Sequence, residues 1–365
     1  MFKIIKKIDY LILIIIALIF SIGAVALYSA SHGAGGIESE FDKQITWFIV
    51  GTIALIFFTF FDYKHLKKLW IPFYIVINIL LIVVLFSNKN NGATSWIKFG
   101  TMSLQPSEFA KIVAVSMMAF FINYFSEKGT LNHISRLIIM LIFLSVPIGL
   151  IVIEPDYGTA LVLVISSAMM LYIGGIKARY IIIATVLTAI SLPLAYNYIL
   201  PEHAKSRIMV YLNPESDPRG AGYNILQSKL AVGSGGITGM GVFEGTQTQL
   251  GLLPMKSTDF IFSVISEEMG FVASASIVIL YTVLLFRILN IARKSKDRFG
   301  SVICIGVFGV FFVHIVENIG MSMGLLPITG IPLPFISYGG SSMLTNMILV
   351  GICESVKTHQ KKHLL

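Results

Sequence analysis

The sequence predicts an all-α integral membrane protein with about ten transmembrane helices, both termini in the cytoplasm, and one long extracellular loop between helices 7 and 8. Three observations predict this fold class. Of the 365 residues, 56% are hydrophobic and only 13% are charged, whereas a soluble domain carries about 25% charged residues. Several apolar runs exceed the ~18 residues that mark a spanning helix. Finally, lysine and arginine collect in alternate connecting segments, as the positive-inside rule requires.

The apolar runs form a single polytopic domain over residues 1–365. The first run follows a basic N-terminus, and at about 19 residues it is too long for the hydrophobic region of a cleaved signal peptide, so we expect it to remain as the first helix. The seventh run is interrupted by Pro193. The predicted spans are 11–29, 45–61, 70–87, 108–124, 136–153, 159–173, 180–199, 259–287, 300–320 and 337–356.

The charged residues predict the orientation. With the N-terminus inside, 18 of the 27 lysines and arginines fall in inner segments and eight in outer loops, which places both termini in the cytoplasm. This thin spread of basic residues excludes a nucleic-acid-binding protein, despite the net charge of +8. Most Asp and Glu residues lie in outer loops or spans, which favours a functional surface facing outward. Cys304 and Cys353 lie in apolar runs, so neither a disulfide framework nor a cysteine metal site is expected.

The outer loop, about residues 200–258, is too long to be structureless in a compact domain. Apolar residues at helical spacing, such as Ile225, Leu226 and Leu230, predict short helices at the membrane surface. Seven glycines between Gly220 and Gly241 would allow tight turns or close approach of the backbone to a ligand.

The stretch QPSEFAK begins the fourth helix. Pro106 suits a first helical turn, and Glu108 lies near the positive end of the helix dipole. Lys111 is three residues further on and shares a face with Glu108. Two interpretations stay open: an ion pair that fixes helix packing, or a polar cavity wall in which Lys111 meets an anionic ligand.

Two further helix N-termini carry polar residues. In EPDYGTALV, Asp156 stands in the first turn with Thr159 on the same face, which suits either a structural cap or a ligand site. In PLPFISYGGSS, the donors of Ser337, Ser341 and Ser342 favour an anion site. No Gly-Lys-Ser/Thr follows a glycine loop, and the sequence predicts no nucleotide, haem or flavin site.

The stretch TDFIFSVISEEMG opens the eighth span. Asp259 stands where the outer loop meets the helix, either as a cap or as a functional carboxylate. Glu267 lies about 80° round the helix from Asp259, so we expect it to face the same cavity two turns deeper. Glu268 points elsewhere and is expected to pack or pair. His314 and Glu317, in the ninth span, are expected to be packing partners.

Together these stretches resemble the SEDS family (shape, elongation, division and sporulation), and its RodA branch more than FtsW or the sporulation branch. The resemblance covers essentially the whole chain and rests on six stretches in one order: QPSEFAK, EPDYGTALV, DPRGAGYNILQSKLAVGSGG, GTQTQLGLLP, TDFIFSVISEEMG and PITGIPLPFISYGGSSMLTNM.

The resemblance implies a peptidoglycan glycosyltransferase of the bacterial cytoplasmic membrane, acting in cell elongation and shape maintenance. Such an enzyme polymerises lipid II on the outer face and works with a class B penicillin-binding protein, the transpeptidase, and with other elongation-complex membrane proteins. The family's essential aspartate corresponds to Asp259, and its fourth-helix Glu and Lys to Glu108 and Lys111. Transfer from an α-linked donor to a β-linked polymer is inverting, with Asp259 as the expected general base.

The leaving pyrophosphate needs cations. Lys111, Lys98 or a divalent Mg or Mn ion on Asp259 or Glu108 would supply them. The chain departs from the family pattern at Met255 and Ser257, where many relatives carry Glu and His.

It departs again at Ser95, before Trp96, where many relatives carry a basic residue that Lys98 would replace; Trp96 and Lys98 are both expected to bind substrate. Two other functions stay open: a lipid II flippase, or a scaffold that only recruits the transpeptidase. An FtsW-like division role or a sporulation role within the same family also stays open.

Overall fold

The structure, a computed structural model, describes residues 5–37, 39–86, 96–99, 102–198, 202–218 and 220–359. The regular structure of the described residues is helical except for one short antiparallel hairpin, β1 (Ile97–Phe99) and β2 (Met102–Leu104). The α-helices are α1 Tyr10–His32, α2 Ser39–Phe60, α3 Leu66–Leu85, α4 Pro106–Glu127, α5 Ile134–Ile153, α6 Tyr157–Ile173, α7 Ala178–Tyr198, α8 Glu202–Leu212, α9 Ala221–Ser234, α10 Thr246–Gln249, α11 Ile261–Lys294, α12 Arg298–Ser322 and α13 Gly340–Thr358.

A helix overlaps each of the ten predicted spans, although α11 begins at Ile261 and α13 at Gly340, two and three residues later than predicted. Within the described residues, seven helices are long and apolar enough to cross a membrane: α1, α2, α3 with the 3-10 turn before it, α4, α5, α11 and α12. The predicted class, an all-α multi-pass membrane protein, is therefore confirmed, while the number of ten crossings stays a prediction. Helix α6 is only 17 residues long, which is at the short limit for a span.

The centre of the bundle is formed by α4 and α12. In each helix we compare the most apolar 18-residue stretch. In this stretch 78% of the residues are buried in α12 and 72% in α4, but only 22% in α2 and in α3. The latter helices are peripheral, and their exposed side chains are mainly large and apolar, as lipid contact requires. The central helices can therefore carry polar side chains at membrane depth without exposing them to lipid.

Both described ends of the chain meet at one end of the bundle, which we call the terminal face. Lys7 Nζ donates to Thr358 O at 3.0 Å, and the Asp9 amide donates to Glu354 Oε2 at 2.9 Å. The opposite end, where α11 begins at Ile261 after the long loop, is the loop face. The two termini thus lie on the same side, as predicted. The assignment of that side to the cytoplasm stays a prediction from the lysine and arginine count.

The long loop carries α8, α9 and α10, and their position at the membrane surface stays a prediction. Two of its glycines, Gly235 and Gly239, lie directly against the backbone of α11. Helix α11 is broken at Gly270, where φ is +72°, a conformation that favours glycine. The amides of Met240 and Gly241 donate to the carbonyls of residues 267 and 268, and the amides of residues 271 and 272 donate to Gly236 and Ile237. The loop therefore satisfies the backbone groups that the break would otherwise leave unpaired inside the bundle.

Candidate functional site

Asp259 lies in the turn that leads into α11 and is half-buried at the loop face. Its carbonyl accepts a hydrogen bond from Asn318 Nδ2 at 2.9 Å, and the same nitrogen donates to Ile331 O at 2.9 Å. A Cβ added to Gly330 would lie 3.5 Å from Asp259 Oδ2. The backbone of Asp259 is thus fixed to α12, and its carboxylate lies beside a glycine that leaves room next to it.

The segment 327–339, which we call the PITG segment, holds the turn of Asp259 from the other side. Ser337 Oγ donates to Thr258 O at 2.6 Å and accepts from the Leu333 amide at 2.8 Å. The Tyr338 amide donates to Ser257 O at 2.9 Å. The Ser337 hydroxyl, predicted as a substrate ligand, is therefore already used twice to hold the turn in place.

Glu108 and Lys111 form the expected ion pair, and His314 completes it. Lys111 Nζ lies 2.8 Å from Glu108 Oε2 and 3.0 Å from His314 Nε2, while His314 Nδ1 lies 2.9 Å from Pro332 O. All three side chains are buried, at 2% exposure or less. His314 is thus a polar packing partner: its Nδ1 donates a hydrogen bond to the carbonyl of Pro332, and its Nε2 accepts a hydrogen bond from Lys111. This burial favours the packing interpretation of the pair over a cation that is open to ligand.

Asp156 caps α6 and joins it to α4. Its Oδ1 accepts from the Thr159 amide at 3.0 Å, and its Oδ2 accepts from Gln105 Nε2 at 3.1 Å and Ser107 Oγ at 2.9 Å. The backbone amide of Gln105 donates to Ser341 Oγ at 3.0 Å. The N-termini of α4, α6 and α13 therefore meet around Gln105, which brings their positive dipole ends together.

The remaining predicted residues fall outside this network. Ser342 is buried, and its Oγ accepts a long bond of 3.3 Å from Asn346 Nδ2 within α13. Trp96 is exposed and directly precedes β1. Lys98 lies in β1 opposite Ser103, but its side chain, like all of Ser95, lies outside the described residues.

The two glutamates after Asp259 hold the outer loop. Glu267 accepts hydrogen bonds from the Gln247 amide at 2.7 Å, the Thr248 amide at 3.0 Å and Thr248 Oγ1 at 2.7 Å. The expectation that Glu267 faces the cavity of Asp259 is wrong, because α10 covers this face of α11. Glu268 Oε1 accepts from Ser29 Oγ at 2.7 Å and from Gln249 Nε2 at 2.9 Å, so it pairs, as expected.

Sequence reasoning missed several polar residues that build the site. Gln44 Nε2 donates to Ser337 O, and its Oε1 accepts from the Gly339 amide. Asn318 joins Asp259 to the PITG segment, as described above. Asn318 stands in apolar helical sequence, where a polar side chain marks a buried face, whereas Gln44 follows the charged residues Asp42 and Lys43. The signal at Asn318 was available in the sequence.

Two ionisable residues at the membrane boundary were also missed. Lys256, which lies between Met255 and Ser257, donates to Ala34 O at 3.0 Å and Thr248 O at 2.8 Å, and burial lowers its pKa. Glu154, directly after α5, is fully buried, and burial together with the charge of Asp156 raises its pKa to about 8. Lys256 therefore ties the outer loop to the end of α1, and Glu154 holds a proton at neutral pH.

The predicted divalent metal finds little support in this arrangement. Of its two expected ligands, Glu108 is occupied by Lys111 at 2.8 Å. Among the described residues, no group of three or more His, Cys, Asp or Glu lies close enough together to hold a metal ion. The glycosyl transfer that these residues could perform is therefore described without a metal ion.

Comparison with known proteins places these features in a family. The family model FTSW_RODA_SPOVE, described as cell cycle protein, matches residues 9–362. The peptidoglycan glycosyltransferase MrdB of Escherichia coli (strain K12) is 36% identical over 97% of this chain and 94% of its own length. Stage V sporulation protein E of Bacillus subtilis (strain 168) is 34% identical over 97% and 98%.

Solved structures agree with this assignment. A chain from a study of the structural coordination of polymerization and crosslinking by a peptidoglycan synthase complex superposes with a TM-score of 0.82, at 25% identity over 97% of this chain and 99% of that chain. The rod shape determining protein RodA of Thermus thermophilus shares the fold, with a TM-score of 0.71 at 22% identity over 97% and 98%. Since the family match and the relatives cover nearly the whole chain, this protein belongs to the FtsW, RodA and SpoVE family.

Proposed function

We infer that this chain is a peptidoglycan glycosyltransferase of the RodA type, and we propose that Asp259 is its general base. The proposal is carried by one observation: a half-buried carboxylate at the loop face whose backbone is held both by α12 and by the PITG segment. A reacting group must be held within a fraction of an ångström to be effective. Relatives over 30% identical along the full length are named peptidoglycan glycosyltransferases, which supports the reaction class.

The proposed substrate is lipid II, a lipid-linked disaccharide diphosphate on the outer leaflet of the bacterial cytoplasmic membrane. Asp259 accepts the proton of an acceptor sugar hydroxyl while that oxygen attacks the anomeric carbon of the donor. The bond from that carbon to the diphosphate oxygen breaks, and its electron pair leaves with the diphosphate. One carboxylate suffices, because a diphosphate leaves without being protonated. Attack from the opposite side converts an α-linked donor into a β-linked product.

The leaving diphosphate would be stabilised by groups at the same face. The N-termini of α4, α6 and α13 meet near Gln105, and helix N-termini favour anions. Ser342 and Lys98 remain the predicted ligands at this position. The proposed partners are a class B penicillin-binding protein and further membrane proteins of the elongation complex. That proposal is supported by the similarity to a chain of a peptidoglycan synthase complex.

The test is polymerisation of lipid II by the purified full-length protein with its transpeptidase partner. Asp259→Asn keeps the side-chain shape but removes the base, so we expect the rate to fall by about 10²–10⁴. Asp42→Asn is the matched control, since Asp42 is an exposed carboxylate in the first turn of α2. Wild-type polymer from Asp259→Asn would refute the base.

Two further arms separate the remaining functions. The same assay with a chelator shows whether a divalent cation contributes. Reconstituted vesicles with labelled lipid II test the flippase: translocation by the wild type that is lost in Asp259→Asn, with no polymer from either protein, would overturn the enzyme assignment.

A further inference from the structure

A second polar site lies at the terminal face, at the opposite end of the bundle from Asp259. It is a cavity of about 220 Å³ between the start of α1 and the ends of α11 and α13, lined by Asp9, Arg287, Asn290, Ile291, Lys294 and Lys357. None of these residues belongs to the machinery described above. Three of the six are cations and one is a carboxylate, so the lining carries a net positive charge.

The single lining carboxylate is already neutralised. Asp9 is 3% exposed. Its Oδ2 accepts hydrogen bonds from Arg287 Nε, at 3.0 Å, and from Arg287 Nη2, and it forms an ion pair with Lys357 Nζ at 3.0 Å. Arg287 and Lys357 remain about one-third exposed. A guanidinium has five N–H donors and an ammonium three, so most donors of these two side chains are left for a further acceptor. Lys294 is exposed and adds a third cation.

The buried Glu354 does not change this balance of charge. It accepts from the Asp9 amide at 2.9 Å and is fully buried behind Asp9. Even if it is counted as ionised, three cations face two carboxylates. The cavity therefore favours an anion.

The depth of the cavity and its border point to a lipid. Asp9 precedes the predicted span 11–29 by two residues, Arg287 ends the span 259–287, and Lys357 directly follows the span 337–356. The cations therefore stand at the boundary of the hydrocarbon layer, where phosphate headgroups lie. Tyr10 and Phe286, each next to a lining residue in the chain, are 52% and 65% exposed, so apolar surface suitable for acyl chains borders the cavity.

We propose that this cavity binds the headgroup of an anionic phospholipid of the inner leaflet, with Arg287, Lys294 and Lys357 contacting the phosphate. A basic pocket between helix ends on the cytoplasmic side is the kind of site that binds such headgroups. The bound lipid would link α1, α11 and α13 at the face opposite the glycosyltransferase site. This assignment does not depend on the role of Asp259.

The test measures lipid retention by the purified full-length protein in neutral detergent. Dioleoyl phosphatidylglycerol and dioleoyl phosphatidylcholine are titrated separately, and bound lipid is counted by native mass spectrometry. We expect saturable binding of phosphatidylglycerol alone. Lys294→Gln should weaken it about fivefold and Lys294→Glu more, since one surface cation contributes about that factor.

Two variants keep the result interpretable. Lys68→Gln removes an exposed lysine from the first turn of α3, at the same face but outside the cavity, and should bind like the wild type. The double variant Asp9→Asn/Arg287→Gln removes one carboxylate and one cation together. It leaves the net charge unchanged but should still weaken binding, because the guanidinium donors are lost.

Several results would overturn the proposal. One is equal affinity of the wild type and Lys294→Glu for phosphatidylglycerol. Another is a loss of phosphatidylglycerol binding in Lys68→Gln as large as that in Lys294→Gln. Inorganic phosphate that binds as tightly as phosphatidylglycerol would show that the ligand is a soluble phosphate compound. A polyglutamate peptide that binds while phosphatidylglycerol does not would indicate an acidic protein segment instead.

Discussion

Removing one member of the buried Glu108–Lys111 pair gives the sharpest test of how the centre of the bundle is stabilised. Lys111→Met keeps most of the side-chain volume but leaves the Glu108 carboxylate, which is 2% exposed, without its cation at 2.8 Å. It also removes the donor that His314 Nε2 accepts at 3.0 Å. Breaking a buried pair by removing one partner costs about 3–5 kcal/mol, and we expect a loss of that size.

The double variant Glu108→Leu/Lys111→Met separates packing from catalysis. Replacing both charges with apolar side chains of similar size is often neutral, so stability should return to within about 1–2 kcal/mol of the wild type. Unfolding free energies would be measured in mixed micelles with increasing sodium dodecyl sulfate, and lipid II polymerisation would be measured on the same samples. Lys68→Met, at an exposed lysine, is the control and should change stability by less than about 0.5 kcal/mol.

The outcomes decide between the two interpretations that the sequence leaves open. A double variant that regains both stability and activity shows that the pair is a packing element. One that regains stability but makes no polymer shows that Lys111 or Glu108 acts on the substrate. The reasoning is refuted if Lys111→Met alone is as stable as the wild type, because an uncompensated buried carboxylate cannot be without cost.

Three further changes test the outer loop and the boundary residues. Gly235→Ala should destabilise by at least about 1–3 kcal/mol, because its Cβ would lie 1.8 Å from Ser266 O, whereas Gly233→Ala meets nothing within 4 Å and should be neutral or stabilising. Glu267→Ala should loosen residues 246–248, with faster proteolysis of the loop and a loss of about 1–3 kcal/mol per stranded amide. Since the pKa of Glu154 is raised to about 8 from 4.5, the native state holds this proton more tightly than the unfolded state. Its contribution to stability therefore falls as pH rises from about 4.5 to 8, by up to about 5 kcal/mol, and Glu154→Gln should remove this slope.

Each of these has its own contradicting result. Equal melting temperatures for the two glycine variants would show that α9 does not lie against the break in α11. Unchanged proteolysis in Glu267→Ala, with Glu267→Gln as the milder comparison, would show that other contacts hold the loop. A wild-type slope of stability between pH 5 and pH 9 in Glu154→Gln would place the titrating group elsewhere.

The membrane class and the helix positions could be predicted from the sequence because both are local properties. A run of about 20 apolar residues must form a helix in a bilayer whatever surrounds it. The helix starts at Pro106 and Asp156 could also be predicted, since a helix cap involves residues within one turn. Likewise, the pairing of Glu108 with Lys111 follows from a separation of three residues.

What the sequence could not predict are contacts between distant segments. His314 meets Lys111 across 203 positions, and nothing in either local sequence specifies the other. The helical angle predicted for Glu267 assumed that Asp259 lies in the helix, whereas α11 begins only at Ile261. The surroundings of Glu267 were not predicted, because α10 is placed there by a loop whose path depends on the break at Gly270. A helical wheel gives the direction of a side chain but not what covers it.

Helix α12 explains how Asp259 is held in the same frame as the buried pair. His314 and Asn318 are one turn apart, and they bind the carbonyls of the adjacent residues Pro332 and Ile331. Asn318 also binds the carbonyl of Asp259, and His314 also contacts Lys111. One turn of a central helix thus connects the proposed base, the PITG segment and the cation of α4. A displacement of α12 by even 1 Å would move the proposed base relative to α4, and such a shift is enough to reduce a rate about 100-fold. If Asp259 is the base, the burial of α12 matters for activity as well as stability, because it fixes the backbone of Asp259 while the Asp259 side chain remains half-exposed.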